Sequence, residues 1–93
     1  MNIKRLELFN IALESTKQKL REHPNYFILK SIIEQLLFLI KIEEGEEIDI
    51  SDLKSMTIGR IAAYDIDNLD SNLASILHEV AAQIPAMQRK YAE

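Results

Sequence analysis

Residues able to do chemistry are few in this chain, and their spacing does not suit catalysis. There is no cysteine, which excludes disulfides, thiolate metal sites and thiol nucleophiles. His23 lies in a His-Pro-Asn break and His78 lies beside Glu79. Neither has a second histidine or a carboxylate pair at ligand spacing, so no metal site is expected. The stretch Asp65 to Asp70, DIDNLD, superficially resembles a calcium loop. It lacks the glycine at the sixth position and the closing glutamate at the twelfth, and it reads better as a polar corner that caps a helix. No serine or threonine sits in a nucleophile elbow, and Gly45 and Gly59 form no phosphate-cradling loop. A carboxylate acid/base pair is the one catalytic device that the composition allows. A binding protein needs nothing that is missing, so neither enzymatic activity nor a cofactor is expected.

Four helical stretches must position whatever the chain binds with. The organising one is Asn25 to Ile42, in which twelve of the seventeen residues from Tyr26 to Ile42 are apolar. Its polar members, Lys30, Ser31, Glu34, Gln35 and Lys41, gather on one side at ~100° per residue. The rest of the circumference is that of a helix central to a bundle. Phe27 and Phe38 fall inside the polar sector. Each is either a second packing surface or a place where another protein sits.

The first helix carries Leu6, Phe9, Leu13, Thr16 and Leu20 at three- and four-residue steps, with Leu8 and Ile11 off that line. His23-Pro24-Asn25 breaks it, and so short a connection makes the first two helices antiparallel neighbours. Gly45 suits the left-handed position after the second helix. The four glutamates around it oppose the helix dipole. Asp49 or Ser51 can cap a turn through Leu53 and Met56, and Thr57 can cap the helix that follows. Gly59 within that helix marks either a close approach or a hinge. Asp70 or Ser71 caps a last helix with the stripe Leu69, Leu73, Ile76, Leu77, Val80, Ile84, Met87 and Tyr91. Pro85 should kink that helix or restart it at Ile84, and residues after Arg89 should fray. The expected fold is all-α: a compact antiparallel bundle over 3–22, 25–43, 52–66 with a break near 57, and 70–90 kinked at 85. Residues 1–93 should make one helical domain.

Charge narrows the partner. Residues 1–30 carry a net of +3 and residues 31–93 a net of −7, giving −4 for the chain. Between Glu43 and Glu79 there are ten acids and two bases, Lys54 and Arg60. Such a surface repels nucleic acid, whose binding is built from phosphate neutralisation. The longest apolar run is Leu36 to Ile40, far short of a membrane span, and the start has no signal-type apolar region. The chain therefore reads as cytoplasmic, with no membrane or nucleic-acid partner. Its acidic surface suits a basic protein partner; the plainer reading of the charge is a solvated face that maintains solubility.

Three stretches carry a family resemblance: EHPNYFILKSIIEQLLFL, then LKSMTIGRIAAYDID with its Thr-Ile-Gly-x-Ile-Ala core, then SNLASIL. Together they span about Leu6 to Val80. They resemble a family of small helical immunity proteins that protect bacteria from a toxin delivered by type VI secretion. That toxin hydrolyses NAD⁺ and NADP⁺. The acidic segment Glu43 to Glu47 and the tail around Pro85 depart from the family pattern. The resemblance implies a non-catalytic binder that holds a cognate toxin domain and blocks its active site. An enzyme that grips a pyrophosphate tends to present cationic groups. The partner-binding candidates are therefore Glu34, Phe38, Lys41, Glu43, Glu44, Glu46, Glu47, Asp49 and Asp52. Phe38 would be the apolar anchor and the acids would steer the partner. A helical adaptor or regulator that binds another basic protein is the alternative.

Overall fold

The computed structural model describes residues 4–46, 53 and 56–91. Its elements are α1 (Arg5–Glu22), α2 (Phe27–Glu43), α3 (Ile58–Ile61), a π-helical turn (Ala62–Ile66) and α4 (Ser71–Tyr91). This is the all-helical bundle expected. Helix α1 packs against both α2 and α4, while α3 packs against α2 and α4 from the other side. The core between them contains Phe9, Leu29, Ile32, Leu36, Leu39, Leu53, Ile58, Ile66, Leu77, Val80 and Met87. Leu8, off the main α1 stripe, is also buried, because α1 has two neighbours. Thr16 is the one polar side chain buried among the described residues, and its hydroxyl donates to the Ala12 carbonyl at 2.7 Å.

Polar clasps set the helix directions. Arg5, at the start of α1, donates to Glu43 at the end of α2 and to Gln83 late in α4, each at 3.1 Å. At the opposite end, Lys19 of α1 lies 3.0 Å from Asp70, which precedes α4. Helix α1 is thus antiparallel to both neighbours.

The connections follow from local chemistry. Proline excludes its predecessor from the helical region, so His23 ends α1 with its N–H donating to Lys19 and Leu20. Helix α2 starts at Phe27 rather than at Asn25. Tyr26 is held extended: its N–H donates to the His23 carbonyl, and its hydroxyl donates to the Asp65 carbonyl at 2.9 Å. At the far end, Gly45 has φ +91°. The Gly45 N–H donates to Ile42 and the Glu46 N–H to Lys41, the paired bonds of a Schellman turn.

Three expectations are refined. The third helical segment is split, α-helical to Ile61 and π-helical from Ala62, with the Asp67 N–H reaching the Ala62 carbonyl at 3.0 Å. Thr57 stands at the start of α3 but makes no side-chain cap; its hydroxyl accepts from the Gln35 amide instead. Helix α4 runs through Pro85 to Tyr91 without restarting at Ile84. Val80 and Met87, buried on either side of the proline, hold both halves against one core. The expected cap at Asp49 or Ser51 lies outside the described residues.

Gly59 marks a close approach. A Cβ placed there would meet the Ala81 Cβ at 3.1 Å, and that atom cannot rotate away because it is fixed to the α4 backbone. Gly59→Val is therefore expected to destabilise the fold by about 1–3 kcal/mol through overpacking, read as a lower midpoint in urea unfolding.

Candidate functional site

The outward edge of α2 follows from a three- and four-residue rhythm: Phe27, Lys30, Glu34, Leu37, Lys41 and, at the cap, Glu44. All six are exposed. Two of them are large apolar residues, Phe27 at 73% and Leu37 at 41% exposure. The Lys30 ammonium lies over the Phe27 ring, 5.3 Å from its centroid, a cation–π contact at the solvent boundary. No ion pair within the described chain engages Lys30, Glu34, Lys41 or Glu44.

Phe38 occupies a different position. It is half-buried and packs against the core. It follows Ser31 and Gln35 along the flank of α2 that faces α3, where Gln35 forms a two-way clasp. The Gln35 carbonyl oxygen accepts from the Thr57 N–H at 2.9 Å, and its amide donates to the Thr57 hydroxyl at 3.1 Å. That clasp satisfies an orphan donor at the start of α3. The exposed apolar residue at the carboxyl-terminal end of the edge is Leu37, which its place in an apolar run had assigned to the core. The signal was available, since Leu37 sits on the same line as Lys30, Glu34 and Lys41.

The acidic candidates divide. Glu43 is half-buried and paired with Arg5, with only 14% of its side chain exposed. It fixes the end of α2. Glu44 and Glu46 are exposed on the Schellman turn. Glu34 and Lys41 are exposed one turn further back. Glu47, Asp49 and Asp52 lie outside the described residues. The structure thus brings Glu34, Leu37, Lys41, Glu44 and Glu46 to one end of one edge.

A concavity of about 620 Å³ lies at the other end of the bundle. The His23–Tyr26 turn and Asp65, Asn68 and Leu69 line it. Tyr64, next to Asp65, is 78% exposed. Nearby, the Leu73 N–H donates to the Asp70 carboxylate at 3.0 Å, so Asp70 is the N-cap of α4. That bond, and then Lys19, hold the Asp70 carboxyl below the usual carboxylate range. Hydrogen bonds to Glu22 and Asp70 raise the Lys19 ammonium above its ordinary value. Among the described residues, no group of three His, Asp or Glu is placed to hold a metal ion. No described helix is long and apolar enough to cross a membrane.

With this geometry in place, the profile of the Tsi6 family matches residues 4–86. The chain belongs to the Tsi6 family. It is an immunity protein of type VI secretion, a non-catalytic binder that neutralises a cognate toxin. The family resemblance, the absence of enzymatic activity and the toxin partner read from sequence all stand on this match. No curated protein and no solved structure gives a significant match.

Asp70 gives a pH prediction. Its pKa is depressed by folding, so its contribution is present above the unfolded carboxylate's pKa and is lost as pH falls through the folded value. Lys19 is the mirror case: its contribution is present below the ordinary lysine value and is lost as pH rises through the raised one. Asp70→Ala should cost about 1 kcal/mol at neutral pH, the worth of an N-cap. In urea titrations, the gap from the wild type should close as the pH drops below the carboxylate range.

Proposed function

We propose that the protein neutralises its toxin by laying the carboxyl-terminal half of the α2 edge, with its acidic turn, over the toxin's substrate cleft. Leu37 is the apolar contact, and Glu34, Glu44 and Glu46 supply negative charge. Lys41 sits among them and fixes orientation. Glu47, Asp49 and Asp52 continue the acidic sequence beyond this turn. Glu43 positions the turn through Arg5, and Phe38 supports the edge from beneath.

The observation that carries this reading is the coincidence of exposed apolar surface and unpaired charge at one end of α2. Interfaces combine a desolvated apolar anchor with a polar rim, and this edge holds both. The family's toxin is an NAD(P)⁺ glycohydrolase. A cleft that holds a dinucleotide pyrophosphate must offer cations or helix N-termini. Carboxylates on a rigid turn match such a cleft while offering nothing to hydrolyse. The Schellman bonds at Gly45 limit the entropy lost when Glu44 and Glu46 are held by a partner. Neutralisation takes place in the cytoplasm, where the dinucleotide pool is consumed.

The test is inhibition of the cognate toxin's NAD⁺ hydrolysis by purified variants. Leu37→Asp should weaken inhibition by about 30-fold or more, the scale of a hot spot of about 2 kcal/mol, with the melting temperature little changed. Glu44→Lys with Glu46→Lys should slow association and reduce its salt dependence. Phe38→Ala should chiefly lower stability, because Phe38 is half-buried. Full inhibition by both Leu37→Asp and the double lysine variant would overturn the proposed contact surface.

A further inference from the structure

We infer that the outer edge of α2 also pairs with the same edge of a second copy of this chain. The two helices run antiparallel about a two-fold axis at Leu37. Residues rise ~1.5 Å each along a helix, so Lys30 and Glu44 stand at equal heights on opposite sides of Leu37. Glu34 stands three residues before Leu37 and Lys41 four after, a difference of one rise. An antiparallel partner centred on Leu37 therefore sets Lys30 against Glu44, Glu34 against Lys41, and Leu37 against Leu37. The two-fold axis repeats both charge pairs, and every contact is between opposite signs or between leucines.

This order is selective. A parallel pairing in the same register would set Lys30 on Lys30 and Glu34 on Glu34. That repulsion disfavours it. The four charged residues are exposed and none is engaged in an ion pair within the described chain, so no internal ion pair must break; Lys30 exchanges only its solvent-boundary contact with the Phe27 ring. The face is also neutral in sum, two lysines and two glutamates, on a chain of net charge −4. Those four residues therefore add nothing to the mutual repulsion of two copies. Leu37 supplies the desolvated centre and the charges fix direction and register, since exposed ion pairs contribute little energy themselves. An interface of this kind is isologous and closes at two copies.

Self-pairing and toxin binding would use one edge, so the dimer would be a resting form that the toxin competes away. This last clause rests on the function proposed above; the self-association does not. The experiment is sedimentation of the full-length protein over a concentration series reaching the millimolar range. The wild type should move from the mass of one chain to that of two. Lys30→Glu with Lys41→Glu makes the edge wholly acidic, and Glu34→Lys with Glu44→Lys makes it wholly basic. Each variant alone should remain at one chain's mass, and an equimolar mixture should return to two. All four positions are exposed, and circular dichroism establishes that both variants fold. A wild type that stays monomeric throughout, or variants that associate as it does, would overturn the inference. Full toxin inhibition by variants that no longer dimerise would instead count against the proposed toxin contact alone.

Discussion

Helix α2 is too apolar to be hidden by one neighbour, and the rest of the chain is arranged to cover it. Leu29, Ile32, Leu36 and Leu39 are wholly buried. Full burial of such a side chain contributes about 1.5–3 kcal/mol, so leaving one flank bare would forfeit much of the stability of a chain this small. Helix α1 covers one flank and α3 the other. Helix α4 closes the bundle over α1 and α3 without packing extensively on α2. One strip of α2 then remains open to solvent. Its residues are those that the two covering helices leave out.

The same constraint explains the carboxyl end of α2. Glutamates there are unfavourable in the helix dipole by ~0.3–1 kcal/mol each. Glu43 escapes that cost through Arg5, which also draws in Gln83. Glu44 and Glu46 have no such partner among the described residues, and they sit on a turn rigidified by the left-handed Gly45. Two exposed acids on a fixed turn beside an exposed leucine make the turn a continuation of the edge, and this joins the packing of α2 to the proposed toxin contact.

Much of the fold was legible because periodicity reports burial directly. The stripes of α1, α2 and α4 up to Met87 pack in or against the core, Gly45 takes the left-handed turn, and of the two caps offered for the last helix, Asp70 and Ser71, the bond from the Leu73 N–H selects Asp70. The close approach at Gly59 was one of two readings, and the contact with Ala81 selects it. What sequence did not carry was tertiary. Phe38 packs against the core on the flank where Gln35 is clasped to Thr57, a contact between residues far apart in the chain. The role of Glu43 depends on Arg5 in the same way. Leu37 was missed because a leucine in an apolar run was assigned to the core, although its position on the polar line was visible. Pro85 was expected to kink the helix or restart it; α4 runs on through it to Tyr91 without a restart, with packing on both sides of it.

The central claim is that the outward edge of α2 and its acidic turn face the toxin. Amide hydrogen exchange of the protein alone and in complex with its cognate toxin domain tests this directly. The account predicts that bound toxin slows exchange most from about Glu34 to Glu46. Protection concentrated instead on the turn of residues 23–26 and the corner of residues 65–69, with the α2 edge unchanged, would contradict it.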